Sequence, residues 1–411
     1  MKTIKFVIAG HIDHGKSTLI GRLLFDTDSL SQEQLDEINK AAGGPDENHA
    51  LAHLLDSLEE ERKQGITIDT ARVSFCAREK LFVIIDVPGH AEFIKNMASG
   101  ASCADAAALI VDANEGVREQ TKRHAYLLSM LGINQVIVVV SKMDSAGFDK
   151  SRFETVSRDA LTLLERVGIR SRLSVPVSAL CGDNIGKGSQ SMPWYQGHNL
   201  LDALESTQAK GHSGKGPLML PIQDCYEVAG ERIAAGRVES GVISNRQTVK
   251  IMPMGQIVKI ADIKKYLGSA LSAIKGECIG ITLKSAIPLS RGDIICDKEG
   301  KLAYKRSFLA RIFWFSKEHL CRGGGLMIKC ATQESACEVV NIPKKLDSSG
   351  FNAVEEDAQY LADGESGIVH LLTKRPVALA AFRDSPELGR FVLSKNGVVC
   401  AGGVVDLAGH G

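Results

Sequence analysis

A glycine-rich loop that carries a lysine and a serine follows the first apolar run of the chain. Its sequence, GHIDHGKS over residues 10–17, has the spacing G-x-x-x-x-G-K-S and opens a helical pattern. Glycines allow the backbone to approach phosphate oxygens closely, and the N–H groups at the start of a helix supply positive potential. Lys16 would then reach the β- and γ-phosphates of a nucleotide, and the hydroxyl of Ser17 would bind Mg²⁺. The loop therefore predicts a site for a nucleoside triphosphate.

A second motif, DVPGH over residues 86–90, ends an apolar run at 81–86. Because it ends a strand beside the phosphate loop, Asp86 can hold Mg²⁺ through the water shell of the metal. The N–H of Gly89 can turn toward a γ-phosphate, and His90 can orient the attacking water. Thr67, within QGITI, can add a hydroxyl to Mg²⁺ when a γ-phosphate is present. We therefore expect three residues at the metal and four that act in hydrolysis: Ser17, Thr67 and Asp86 for the metal, and Lys16, Thr67, Gly89 and His90 for the reaction.

Two further motifs, SKMD at 141–144 and SAL at 178–180, follow apolar runs and are suited to reading a base. The carboxylate of Asp144 can accept two hydrogen bonds from the N1–H and exocyclic amine of guanine, which adenine does not offer. The aliphatic stem of Lys142 can cover the base, and a backbone N–H within 178–180 can meet the guanine carbonyl oxygen. The order and spacing of all these motifs favour a guanine-nucleotide switch.

These motifs depend on the elements that must position them. Over the first 200 residues, β-branched apolar runs alternate with amphipathic helical patterns, which indicates a mostly parallel sheet with helices on both faces. We predict strands at 4–9, 81–86, 107–112, 135–141 and 173–177, and helices at 17–25, 91–100, 119–131 and 151–167. The predicted fold class of this part is an α/β P-loop GTPase domain.

Beyond the Gly- and Ser-rich stretch GHSGKG at 211–216, helical periodicity largely disappears. Short apolar runs at 218–223, 233–238, 248–252, 277–283 and 309–315 alternate with turn residues, which is typical of antiparallel barrels. This part of the chain is too long for one small barrel, so we predict two. The predicted domains are a P-loop GTPase domain over 1–210 and β-barrel domains over 211–300 and 301–411.

The composition is that of a globular protein, since 44% of the 411 residues are hydrophobic and 24% are charged. The 49 basic residues balance the 49 acidic residues, which disfavours a protein that holds nucleic acid by bulk charge but not one with a local basic patch. No apolar run approaches the roughly 18 residues of a membrane helix, and no targeting segment precedes the first strand pattern. Ten scattered cysteines without a C-x-x-C pair indicate reduced thiols. We expect a cytoplasmic protein without a membrane partner.

The stretches GHIDHGKSTL, RKQGITID, DVPGH and KMD closely resemble the nucleotide motifs of the translation-factor class of GTPases, and the resemblance spans essentially the whole chain. It implies that GTP or GDP binds together with Mg²⁺. It implies that Asp13 and His14 shape the phosphate loop. It also implies that Thr67 belongs to the switch I loop and that His90 positions water in switch II. The expected nucleotide-binding residues, from the motifs and the resemblance together, are Gly10, His11, Asp13, His14, Gly15, Lys16, Ser17, Thr18, Ser141, Lys142, Asp144, Ser178, Ala179 and Leu180.

Two branches of this class compete. The GTPase subunit of bacterial ATP sulfurylase couples GTP hydrolysis to adenylyl sulfate formation on a partner subunit, and the segments STLIGRLL, QTKRH and RGD resemble it. Elongation factor 1-alpha or Tu carries aminoacyl-tRNA to the ribosome, and the segments PIQD and GRVESG resemble it. We expect the first branch, with a catalytic adenylyltransferase subunit as partner. Delivery of aminoacyl-tRNA, or a GTPase of this class with another client, are the alternatives.

Two positions depart from the patterns of the class. The guanine motif normally begins with Asn and here begins with Ser141, whose side chain is shorter. Loss of one neutral hydrogen bond costs about 0.5–1.5 kcal/mol, so we expect guanine nucleotides to bind a few-fold to about tenfold more weakly. The selection of guanine by Asp144 should survive. At the second position, His14 is typical of elongation factors, whereas sulfurylase subunits more often have an acid there.

Overall fold

The computed structural model describes residues 2–11, 13–30, 72–77, 79–86, 104–171, 173–208, 216–228, 230–266, 268–285, 287–300, 302–347, 352–382 and 385–406. The described residues up to 208 form one compact unit, and those from 216 onward form a second. Within these ranges, no helix has the length and apolar character needed to cross a bilayer. The nine cysteines in the same ranges are free thiols.

A six-stranded sheet forms the centre of the first unit. Its strands are β1 (Lys2–Gly10), β2 (Arg72–Ala77), β3 (Lys80–Asp86), β4 (Ala106–Asp112), β5 (Val136–Ser141) and β6 (Leu173–Pro176). They lie in the order β2-β3-β1-β4-β5-β6, and β2 alone among them runs antiparallel to its neighbour. Every residue of β4 and β5 is buried, as expected for strands covered on both faces. The five predicted strands are present, and β2 is an addition that the sequence pattern did not predict.

Four helices of this unit lie within the described ranges. They are α1 (Lys16–Asp26), α2 (Glu119–Met130), α3 (Lys150–Arg166) and α4 (Leu200–Ser206). α1 buries Leu19 and Leu23 in a cluster that includes Phe6 of β1 and Ile84 of β3, which fixes the helix against the sheet. The helix predicted over 91–100 lies outside the described residues.

The second unit begins with a barrel of short antiparallel strands. They are β7 (Met219–Val228), β8 (Glu231–Arg237), β9 (Val242–Ser244), β10 (Thr248–Met252), β11 (Gln256–Lys265), β12 (Gly268–Ala270), β13 (Ser272–Ile274), β14 (Cys278–Leu283) and β15 (Ile294–Asp297). Six of them pair in the ring β10-β15-β7-β8-β14-β11, and β11 pairs again with β10. The ring is therefore closed around an aliphatic core.

A second closed barrel follows. Its elements are β16 (Ala303–Trp314), β17 (Leu320–Cys321), β18 (Leu326–Cys330), β19 (Gln333–Leu346), β20 (Ala353–Ala358), β21 (Tyr360–Leu361), β22 (Ser366–Leu379), the short helix α5 (Pro386–Gly389), β23 (Arg390–Lys395) and β24 (Val398–Asp406). Pairing of β18 with β19 closes the ring β18-β23-β24-β16-β22-β19. Trp314 is 1% exposed in its core.

The two barrels share a small buried cluster within the second unit. It consists of Met219 and Ile294 from the first barrel and Ala378 and Leu388 from the second. The expected fold class, a parallel α/β domain followed by two antiparallel β-barrels, is confirmed. The boundaries 1–210, 211–300 and 301–411 stay predictions.

Candidate functional site

The phosphate loop leaves β1 at Gly10 and enters α1 at Lys16. Gly10 lies so close to β4 that a Cβ atom there would be 2.7 Å from the carbonyl oxygen of Ile110. Gly15 has φ of +81°, a conformation that glycine adopts without steric cost. The Nζ of Lys16 donates to the carbonyl of Gly10 at 2.8 Å, so the lysine spans the loop. Glycine is thus required at both ends of the loop.

The start of α1 is suited to an anion. Among the described residues no side chain caps it, and its first turn carries no acidic residue. Its backbone N–H groups and the positive end of its dipole would therefore face the phosphates. Ser17 and Thr18 lie in this first turn, where the hydroxyl of Ser17 would bind Mg²⁺ and help neutralise phosphate charge. The described residues of the loop fit the phosphates of a nucleotide, and Ser17 would contribute to holding its metal ion.

The histidines of the loop act differently from each other. His14 is fully buried, with Nδ1 3.3 Å from the carbonyl of Ile110 and Nε2 3.4 Å from Oε2 of Glu115. Burial lowers the pKa of His14, although the contacts with the Ile110 carbonyl and with Glu115 act against this. Through these two contacts, the side chain of His14 supports the phosphate loop. His11 is more exposed and accepts a hydrogen bond from the N–H of Asp13 at 3.3 Å.

The base-reading motif at the end of β5 is joined to the phosphate loop. The hydroxyl of Ser141 donates to the carbonyl of His14 at 2.8 Å. The end of β5 therefore lies close enough for this hydroxyl to reach the loop, while the weaker binding of guanine nucleotides expected from the shorter side chain stays a prediction. Asp144 accepts a hydrogen bond from the hydroxyl of Ser178 at 2.6 Å, which orients its carboxylate.

The SAL motif follows β6 and lies beside Asp144. The N–H of Ser178 donates to the carbonyl of Asp183 at 3.3 Å, so an N–H directed at a guanine carbonyl would come from Ala179 or Leu180. Leu180 is 44% exposed, so its side chain is open to solvent. The structure thus brings the SKMD and SAL motifs together at the edge of the sheet that carries the phosphate loop.

The metal and switch residues are only partly within the described ranges. Asp86 ends β3, and the register pairs it with Ile8 of β1, two residues before the phosphate loop. Its backbone therefore lies at the expected edge of the sheet. Thr67, Gly89 and His90 lie outside the described residues. Their roles, and the complete metal set, stay predictions.

Sequence reasoning missed the acidic residues that surround this site. Asp112 ends β4, next to Ser141 at the end of β5, and its Oδ2 is 3.0 Å from Nζ of Lys142. Glu115 contacts both His14 and Arg118. The position of Asp112 at the carboxyl end of a central strand was the signal in the sequence that could have found it.

Known protein families and proteins of known sequence match this chain over most of its length. Residues 1–210 match the family described as elongation factor Tu GTP binding domain, and residues 307–406 match the one described as GTP-eEF1A C-terminal domain-like. Elongation factor 1-alpha of Methanospirillum hungatei is 35% identical over 408 residues, which cover 98% of this chain and 96% of the relative. Elongation factor 1-alpha of Thermococcus sibiricus is 36% identical over 415 residues, with 98% and 97% covered. A solved structure of sup35 complexed with GMPPNP is similar over 98% of this chain and 93% of its own, at 26% identity and a TM-score of 0.45.

These matches bear on the choice between the two branches of the class, the GTPase subunit of ATP sulfurylase and elongation factor 1-alpha or Tu. The relatives reported above span nearly the whole chain and are named elongation factor 1-alpha, so the expectation of an ATP sulfurylase subunit is not supported and its elongation-factor alternative fits better. The nucleotide domain and the C-terminal barrel each match a model from the same group. The chain therefore belongs to the elongation factor Tu and elongation factor 1-alpha family of translation-factor GTPases, which bind GTP or GDP with Mg²⁺.

Proposed function

We propose that this protein is an elongation-factor-like GTPase that binds aminoacyl-tRNA in its GTP state and releases it after hydrolysis. The observation that carries the proposal is the 35% identity to an elongation factor 1-alpha over 98% of the chain, including both barrels. The residues of the nucleotide site are compatible with it. A role in sulfate activation with an adenylyltransferase partner has no comparable support. A cytoplasmic location belongs to the same proposal.

Within the nucleotide site, each group would have a defined task. Lys16 and the start of α1 would hold the phosphates, and Ser17 would bind Mg²⁺, which stabilises charge on the transferring phosphoryl group. Asp144 would select guanine. His90 would position the attacking water. We assign no arginine of this chain to stabilising the transition state of GTP hydrolysis. We therefore propose that the protein hydrolyses GTP slowly by itself and that a partner raises this rate.

The first barrel has a cavity that suits a second ligand. Its volume is about 400 Å³, within the range of small-ligand pockets. The buried hydroxyl of Thr282 has no hydrogen-bond partner among the described residues. Both polar and apolar side chains line the cavity, among them Arg232, Ile233, Ile281, Thr282 and Leu289. We propose that the aminoacyl end of a tRNA is the ligand of this cavity.

Charge on the barrels limits how tRNA can be held. The short basic runs at 264–265 and 344–345 face carboxylates: Lys264 pairs with Glu231, Lys265 with Glu277 at 2.7 Å, and Lys345 with Glu365 at 2.6 Å. Lysines in such pairs neutralise fewer phosphates, and each phosphate contact steepens the salt dependence of binding. We therefore propose that tRNA binds through its shape and its aminoacyl end, with a shallow dependence on salt.

The test is protection of the aminoacyl ester against spontaneous hydrolysis. Bulk tRNA charged with labelled amino acids is incubated with the protein loaded with GDP or with a GTP analogue that cannot be hydrolysed. We expect slower deacylation with the analogue and no protection with GDP. Equal deacylation in both states, with nucleotide demonstrably bound, would refute the proposal.

A matched control uses the base-reading residue. Asp144→Asn should protect the ester with a xanthosine triphosphate analogue and not with the GTP analogue, which ties protection to the nucleotide site. In parallel, the native protein is purified by affinity and its associated proteins are identified. A co-purifying adenylyltransferase that forms pyrophosphate from ATP and sulfate faster with GTP would favour the sulfurylase role instead.

A further inference from the structure

Asp112 is a buried carboxylate inside the nucleotide site that no sequence motif includes. Its side chain is 4% exposed, at the carboxyl end of β4. Oδ2 lies 3.0 Å from Nζ of Lys142, and Oδ1 accepts from the N–H of Asn114 at 2.7 Å and of Glu115 at 3.4 Å. Burial acts to raise the pKa of Asp112, but the hydrogen bonds from Lys142 and the backbone outweigh it and hold the pKa below its usual range. The carboxylate is therefore charged at neutral pH.

Lys142 is held by this carboxylate across the phosphate loop. Its Cε lies 4.0 Å from the position that a Cβ on Gly15 would occupy, and its ammonium reaches Asp112 beyond. The Lys142 side chain remains 40% exposed, so it is accessible to a ligand. Its φ of +55° is uncommon for a residue other than glycine, and such a conformation persists only where surrounding contacts fix it.

A second set of contacts holds the backbone of Lys142. The hydroxyl of Ser145 donates to the carbonyl of Lys142 at 2.9 Å and accepts from the side-chain amide of Asn114 at 3.0 Å. Asn114 is also the residue whose N–H binds Asp112. The turn after β4 thus fixes Lys142 at both its ammonium and its backbone.

We propose that Asp112 is a positioning residue for guanine-nucleotide binding, which holds the stem of Lys142 against the phosphate loop as a preformed surface for the base. A side chain that is already ordered loses less conformational entropy when a ligand packs on it. Asp112 acts on nucleotide binding only through Lys142 and does not itself contact the nucleotide. The inference concerns nucleotide binding and does not depend on aminoacyl-tRNA delivery.

The experiment compares nucleotide release in Asp112→Asn and in the unmodified protein. Asparagine keeps an oxygen that can accept from the N–H of Asn114, so the turn is retained while the ion pair is lost. A hydrogen bond between charged groups stabilises a structure more than a neutral one does. We therefore expect its loss in Asp112→Asn to make GDP dissociate about tenfold faster. The preference for guanine over xanthine and adenine should not change. An unchanged dissociation rate for GDP would overturn the proposal.

A double-mutant cycle separates positioning from a general structural role. In the Lys142→Met background, the further change Asp112→Asn should not accelerate GDP release, because the group through which it acts is gone. Acceleration of the same size in both backgrounds would show a structural role and overturn the proposal. Asp105→Asn is the matched control: Asp105 accepts from the N–H of Lys5 at 2.9 Å, near the amino end of β4, and its loss should leave GDP release unchanged.

Discussion

Ser141→Ala removes the hydrogen bond that joins the base-reading motif to the phosphate loop. Ser141 is 5% exposed, and its hydroxyl donates to the carbonyl of His14 at 2.8 Å. A neutral hydrogen bond of this kind contributes about 1 kcal/mol, which corresponds to about fivefold in a dissociation constant. If the bond orders the phosphate loop for its ligand, the Kd for GDP should rise about fivefold. The preference for guanine over adenine should stay the same, because the hydroxyl contacts the loop and not a base.

The assay is a titration with a fluorescent GDP, followed by displacement with unlabelled GDP, ADP and xanthosine diphosphate. Thr155→Ala is a suitable control, since it removes an exposed hydroxyl that donates to the carbonyl of Ser151 in α3. A Kd for GDP within the error of the control would show that the contact does not support binding. A changed order of base preference would show that Ser141 reads the base. Ser141→Asn should tighten GDP by no more than about threefold, because the serine already makes one contact.

Three other predictions concern selectivity, hydrolysis and pH. Asp144→Asn should shift preference from guanine to xanthine nucleotides, whose C2 oxygen is an acceptor, and competition binding measures this. His90→Ala should leave GTP affinity nearly unchanged and slow single-turnover hydrolysis by about tenfold or more; equal rates would remove its assigned role. Burial and the nearby Glu387 raise the pKa of Glu239 to about 7, above the usual 4.5. Because the native state then binds this proton more tightly than the unfolded state, the stability of the protein should fall as the pH rises from 4.5 to about 7. Glu239→Gln should stabilise the protein at pH 8 by about 1–2 kcal/mol, with no gain below pH 4.5, as thermal unfolding at both pH values would show.

The positions of the phosphate loop and of Asp144 could be predicted from the sequence because both motifs depend on local spacing, while their roles in nucleotide binding stay predictions. A lysine six residues after Gly10 must reach back across the loop, and the structure has that contact at 2.8 Å. The arrangement of the strands that carry them could likewise be predicted, since β-branched runs separated by helices admit few topologies.

The contacts between motifs could not be predicted in the same way. Asp112 and Lys142 are 30 residues apart, and only the register of β4 against β5 brings their side chains together. The contact of Ser141 with the phosphate loop depends on a distance between two strand ends that no spacing in the sequence encodes. The strand β2 was missed for another reason: it is a short edge strand in which only alternate residues, Val73, Phe75 and Ala77, face the core, so it lacks the continuous apolar run of the central strands.

Six strands of each barrel form a hydrogen-bonded ring without a first or last member. A sheet with open edges can lose strands one at a time from its ends, whereas opening a ring requires two ladders to separate together. Amide hydrogens of β7 and β8, or of β16 and β22, should therefore exchange with solvent as groups rather than strand by strand. Within the described residues, the six strands of each ring are paired on both sides, so an added strand would find an open edge only on strands outside the rings, such as β12 and β20.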